Sequence, residues 1–198
     1  MNDARPRPLE PTPSLHHITA ICGDAQSNAD FYTGVLGLRL LKRTVNYDDP
    51  STYHLYYGEP GGTPGTILTF FPWPDGNPGR HGIGQAEVIA FAVPMTAMGR
   101  WIEQFLRNGV SFQPPVARRA ENGMTERVIA FKDPDGLQLE LVGVADQHAD
   151  KSGTISDEYA IRGFYGVTLW LGEALMLPAW LEPLRAEIMA TMPAIELP

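Results

Sequence analysis

The sequence predicts an α+β protein built from two tandem βαβββ modules. Three observations lead there. The order strand, helix, strand, strand, strand can be read over residues 14–74 and again over 85–146. Each copy has one helical stretch of apolar spacing among short strand-like runs, and each helical stretch ends at a glycine, Gly37 and Gly109. A Pro- and Gly-rich stretch, 74–84, divides the copies, so the order reads as an internal duplication.

The first strand is Leu15-His16-His17-Ile18-Thr19-Ala20-Ile21, preceded by Pro11 and Pro13 and followed by Gly23-Asp24. Asp24 is an N-cap for a helix over Ala25–Leu36, with Phe31, Tyr32, Val35 and Leu36 at helical spacing. Strands follow at Leu38–Tyr47, Tyr53–Gly58 and Thr66–Trp73, separated by the turns Asp48-Asp49-Pro50 and Gly61-Gly62-Thr63-Pro64-Gly65. In the second copy, Ala86–Val93 is a strand. Met98, Trp101, Ile102, Phe105 and Leu106 mark one helix face. Val110–Arg118 is a short strand broken by Pro114-Pro115. Thr125–Phe131 and Leu137–Val144 are strands joined by Asp133-Pro134-Asp135-Gly136.

Outside the modules, residues 1–13 read as a Pro-rich, disordered lead-in and 147–160 as a polar linker. Residues 161–198 read as the first strand of an unfinished third module followed by a short helical C-terminal tail. Gly163–Leu169 aligns with Ser14–Ala20, with Tyr165 and Gly166 where the two histidines stand. Phe164, Val167 and Leu169 are expected to leave an apolar, unpaired strand edge, and hence a homodimer in which this segment packs on a partner.

The net charge of −8 and the lack of a basic run argue against a nucleic-acid partner. No apolar run reaches the length of a membrane span, and residues 1–14 lack the apolar core of a signal peptide, so a cytoplasmic protein is expected. The single cysteine, Cys22, excludes an intramolecular disulfide and a multi-cysteine metal site.

The first strand draws attention because it carries adjacent histidines. Side chains alternate along a strand, so His17 shares a face with Thr19 while His16 shares the other with Ile18. One imidazole can point into a site while its neighbour supports it, and neutral imidazole is the commonest metal ligand; two ordinary strand histidines are the plainer reading. His54 lies in a later strand as a structural histidine or a neighbour of the site, and His81 and His148 lie in loops.

The segments Leu15–Ile21, Asp30-Phe31-Tyr32-Thr33-Gly34-Val35-Leu36-Gly37-Leu38, Thr52-Tyr53-His54-Leu55-Tyr56-Tyr57-Gly58, Pro64–Trp73 and Asp133–Val142 together resemble the vicinal oxygen chelate superfamily. That superfamily includes glyoxalase, bleomycin-resistance and extradiol dioxygenase proteins. The resemblance is nearest to its hydroquinone-type ring-cleaving dioxygenases and covers most of Leu15–Leu169.

The resemblance implies the glyoxalase/bleomycin resistance/dioxygenase fold and a site that holds Fe(II) or Mn(II) by two histidines and a carboxylate. His17 matches the first metal histidine. His16 and Thr19 match the neighbouring catalytic positions. The remaining ligands of such enzymes lie in a fourth module, so the sequence reads as a family member lacking its second half. Glu140 stands where the superfamily places a metal carboxylate, on the face opposite Leu139 and Leu141, and is read as a metal ligand or as a hydrogen-bonded or ion-paired acid. Three protein ligands on one face of the metal leave room for a phenolic substrate and dioxygen. Tyr53, Tyr56, Tyr57, Phe70, Phe71 and Trp73 are aromatic walls or core. The implied function is cleavage of a small hydroquinone- or catechol-like ring with incorporation of two oxygen atoms. The alternatives are a non-catalytic small-molecule-binding protein of the same fold and an inactive remnant that self-associates.

Overall fold

The computed structural model describes residues 15–119, 123–144 and 158–170. The lead-in, residues 147–157 of the expected linker, and the tail from 171 onward lie outside the described residues.

Two sheets of mixed strands face one core, as the α+β reading requires. The first holds β1 (His17–Cys22), β2 (Arg39–Val45), β3 (Tyr53–Gly58) and β4 (Ile67–Pro72) in the order β1-β4-β3-β2. The second holds β5 (Gln85–Pro94), β6 (Val116–Arg119), β7 (Thr125–Lys132), β8 (Gln138–Val144) and β9 (Phe164–Trp170) in the order β6-β7-β8-β5-β9. In each copy the first strand runs parallel to the last, β1 on β4 and β5 on β8, and the remaining pairs are antiparallel. This is one βαβββ unit used twice.

Alternation explains the core. Ile18, Cys22, Leu55, Tyr57, Leu68 and Phe70 project from one side of the first sheet; Ile89, Phe91, Ile129, Phe131, Leu139 and Leu141 project from the second. Two helical segments close the remaining sides. Helix α1 (Ala25–Ala29) begins at Asp24, whose side chain accepts from Ser27 N at 2.7 Å. The helix expected to run on to Leu36 instead widens into a π-helical segment, Asp30–Val35, with Leu36 N donating to Phe31 O at 3.1 Å. The wider turn lets the adjacent Phe31 and Tyr32 both stay buried. Helix α2 (Met98–Arg107) buries Met98, Trp101 and Phe105. Leu106, expected on that face, is 67% exposed, because eight residues after Met98 a helix has turned well past its buried stripe.

Two other expectations change. The strand predicted over Val110–Arg118 shortens to β6, with only a bridge between Phe112 and Phe131 before the prolines. The strand over Phe164–Trp170 is not unpaired: it forms β9, antiparallel along β5, and Phe164 stacks on Phe91 with ring centroids 5.6 Å apart. Its start also ties the two sheets together. Phe164 N donates to Gly65 O, and Gly65 N donates to His16 O, both at 2.8 Å. Just before it, Trp101 Nε1 donates to Tyr159 O at 2.9 Å and Ala160 is buried.

Candidate functional site

The candidate site is the face of the first sheet that turns away from the core. Register and alternation decide its members. His17, Thr19 and Ile21 project together from β1, and their partners on β4 are Ile67, Thr69 and Phe71. Thr69 pairs in turn with Tyr56 of β3, which puts Tyr56 and His54 on the same face; Lys42 and Thr44 of β2 complete the row. His17, Thr19 and His54 are thus brought to one surface.

The two adjacent histidines interact. His16 and His17 share a hydrogen bond between their Nδ1 atoms at 3.0 Å, with the rings edge to face. A bond at Nδ1 leaves Nε2 as the His17 atom able to hold a ligand, and fixes the ring's orientation. Burial, and secondarily the neighbouring His16, lower the His17 pKa, so its imidazole is neutral and ligand-competent near pH 7. Thr19 Oγ1 accepts from Thr69 Oγ1 at 2.9 Å, which holds both hydroxyls in place.

His54 is packed between rings: its centroid lies 4.0 Å from Phe71 and 4.2 Å from Tyr56. Its Nδ1 shares a 3.0 Å hydrogen bond with Tyr56 OH, whereas Nε2 is shielded from solvent and has no partner among the described residues. Its pKa is lowered, chiefly by burial and then by the positive charges that His17 and Lys42 can carry. The aromatic residues divide: Tyr57 and Phe70 are core, Tyr56 and Phe71 line this face, Tyr53 is half exposed, and Trp73 Nε1 donates to Thr52 Oγ1 at 3.3 Å.

Glu140 sits on the second sheet, on the face away from Leu139 and Leu141. Arg118 Nη1 donates to its Oε2 at 2.9 Å. The same guanidinium reaches Glu126 Oε2 through Nε at 3.4 Å, and Tyr165 OH of β9 donates to Glu126 Oε1. The acid therefore belongs to a network that crosses β6, β7, β8 and β9. His81 lies apart in a loop, its Nε2 3.3 Å from Gly136 O, and His148 is outside the described residues. A cavity of about 530 Å³ lined by Phe31, Phe112, Phe131, Asp133 and Gln138 contains none of the histidines.

These residues fit part of a two-histidine-one-carboxylate metal site. His17 offers an oriented neutral nitrogen and the chemistry suits a divalent metal, but no group of three or more His, Cys, Asp or Glu side chains placed to hold an ion occurs among the described residues.

A sequence profile of the Glyoxalase/Bleomycin resistance protein/Dioxygenase superfamily matches residues 14–141. The chain belongs to this superfamily. Among its relatives, "Putative ring-cleaving dioxygenase MhqO" of Bacillus subtilis is 47% identical over 160 residues, spanning 80% of this chain and 49% of the relative. "Chlorohydroquinone/hydroquinone 1,2-dioxygenase" of Sphingobium indicum is 32% identical over 180 residues, spanning 84% of this chain and 54% of the relative. The chain spans about half the length of these curated relatives. A crystal structure of a "putative dioxygenase" from Bacillus subtilis superposes with a TM-score of 0.71 at 47% identity, over 80% of this chain and 50% of that one. A glyoxalase/dioxygenase from Nostoc punctiforme, 24% identical with a TM-score of 0.53 over 68% of this chain and 92% of its own, shares the superfamily fold.

Two features escaped the sequence reading. His54 shares the His17 face, a fact carried by the β3–β4 register and hidden when each strand is read alone. Arg118 meets Glu140 because β6 lies two strands away on β7, and the broken Pro114-Pro115 run gave no register for β6.

Proposed function

We propose that this chain is a dioxygenase-like protein, dependent on Fe(II) or Mn(II), that takes a small hydroquinone- or catechol-like ring. The observation that carries this reading is the β1-β4-β3 face, where the oriented imidazole of His17, the linked hydroxyls of Thr19 and Thr69, and a second neutral histidine lie among aromatic rings. The names of the relatives, one a hydroquinone 1,2-dioxygenase, support the reaction class and the ring.

In this reading His17 holds the metal, His16 sets its tautomer and exchanges protons, and Thr19 meets a substrate oxygen. Phe71 and Tyr56 supply flat walls for the ring. Glu140 serves as a ligand only if it parts from Arg118, so the other ligands come from outside the described residues or from a second copy. A homodimer in the cytoplasm belongs to the same proposal.

Oxygen uptake with hydroquinone, after anaerobic loading with Fe(II), tests it. The expected result is uptake well below that of a full-length relative, and its loss in His17→Ala. Uptake that is indifferent to metal and to His17 contradicts the proposal. A second reading, a non-catalytic binding protein of this fold, is favoured by the Arg118–Glu140 pair, which commits the candidate carboxylate elsewhere. Hydroquinone binding with no metal-dependent uptake would select it.

A further inference from the structure

Strand β2 contains an irregularity that regular pairing does not require. Leu40 pairs with Tyr57, but the next pair is Lys42 with Tyr56, so Leu41 is an extra residue in the ladder. A bulge of this kind re-aims the side chains beyond it. With regular pairing Leu41 would stand opposite Tyr56, and Lys42 would turn to the core side with Leu55. With the bulge, Lys42 stands opposite Tyr56 on the face that carries His17. Leu41 packs beside Gly58, where an added Cβ would meet its Cδ1 at 3.0 Å. Protection of an edge strand is the ordinary use of a lysine here. That use needs only exposed charge, which Arg39 and Arg43 of the same strand already supply.

The Lys42 side chain folds back over the sheet, with Nζ 5.6 Å from the centroid of the Tyr56 ring. Register sets Lys42, Tyr56, Thr69 and Thr19 at one level across the four strands. Thr69 is buried and anchors the half-buried Thr19 hydroxyl. From the solvent side the row therefore offers an ammonium, a flat ring and a fixed hydroxyl. None of the side chains that β1 to β4 turn to this face is acidic, and Lys42 has no carboxylate partner among the described residues. His17 and His54 are both held toward the neutral form, so the ammonium is the fixed charge of this face. It stands in a chain whose net charge is −8. An ammonium without a counter-ion, beside an aromatic wall, complements a flat ligand that brings its own negative charge. One point charge matches one carboxylate.

We propose that Lys42 is a specificity-determining residue: its ammonium takes the carboxylate of an aromatic acid whose ring lies against Tyr56, so this face prefers an anionic ring to a neutral one of the same shape. The proposal rests on the reading of this face as a ligand site, though not on turnover or on a metal. Lys42 is exposed and Tyr56 half-buried, so a ligand reaches both from solvent without opening the fold.

The test titrates para-hydroxybenzoate and its uncharged isostere para-hydroxybenzamide into the full chain. Calorimetry reads affinity, and NMR of the Tyr56 and Thr19 side chains reads where the probe sits. The acid is expected to bind about fivefold more tightly than the amide, the worth of an exposed ion pair. That margin should shrink as salt is added. Lys42→Met keeps the stem over Tyr56 and removes the charge; it should melt like the wild type and bind the two probes equally. Lys42→Arg should keep most of the preference, and Lys42→Glu should reverse it. Equal affinity for the two probes in the wild type, an undiminished preference in Lys42→Met, unmoved Tyr56 and Thr19 resonances, or no binding of either probe each overturns the proposal. Charge-selective binding without metal-dependent oxygen uptake would leave this inference standing and remove the dioxygenase reading instead. Uptake that needs metal and His17, together with equal affinity for the two probes, would do the reverse.

Discussion

Among the described residues Asp133 is the carboxyl group most perturbed by its surroundings. It is buried in the turn between β7 and β8, where its Oδ1 accepts from the backbone of Asp135 and Leu137, both at 2.9 Å, and its Oδ2 accepts from Tyr32 OH at 3.0 Å. Burial outweighs these bonds and pushes its pKa up to about 6, with the nearby Asp135 adding to the rise. A folded pKa above the unfolded one means that the folded protein binds the proton more tightly. The stabilisation is complete below the unfolded carboxylate pKa and is lost as pH rises through about 6. Asp133→Asn keeps the backbone bonds and removes the titration. We predict that wild-type stability in urea falls by about 2 kcal/mol more than that of Asp133→Asn between pH 4 and pH 7, the energy of one to two pKa units. Parallel pH profiles for the two proteins contradict this.

At the scale of elements, the repeat of strand order was legible because each strand of either copy shows its own alternation and each turn its own Gly, Pro or Asp chemistry. Most strand boundaries followed. What local pattern could not carry was pairing between distant strands. β9 reads in isolation as an orphan edge, and only the fold supplies β5 as its partner. The same limit hid the shared face of His17 and His54 and the partner of Glu140, all of which depend on register. The Gly65–Gly163 junction tests how far β9 belongs to the fold. Gly163 has φ of 124°, and a Cβ there would lie 2.9 Å from the carbonyl oxygen of Gly65, a backbone atom that cannot swing aside. Gly163→Ala should therefore cost about 2–3 kcal/mol, from strained backbone and the displaced Phe164–Gly65 hydrogen bond. A chemical-denaturation midpoint unchanged from wild type would show that β9 docks independently of the first sheet.

At the scale of the whole molecule, one core joins the two sheets, while the candidate ligands stand on the opposite faces of those sheets. β9 is the outer strand of its sheet, with Trp170 44% and Ile83 66% exposed at that end. An outer strand with no further strand on it among the described residues, and with apolar flanks, favours a second copy, and a partner's side chains are one source of the ligands that the described residues do not supply. We predict a dimer by light scattering at tens of micromolar, roughly the range where weak homodimers form; monomer alone at that concentration counts against it. The central claim is that the His17 face holds a divalent metal, and metal content per chain measures it most directly. Wild-type protein loaded with Fe(II) or Mn(II) and then desalted should retain metal. His17→Ala, confirmed as folded by circular dichroism, should lose most of it, and His54→Phe should keep it. Retention by His17→Ala equal to wild type, or no retained metal in the wild-type protein, would contradict the account.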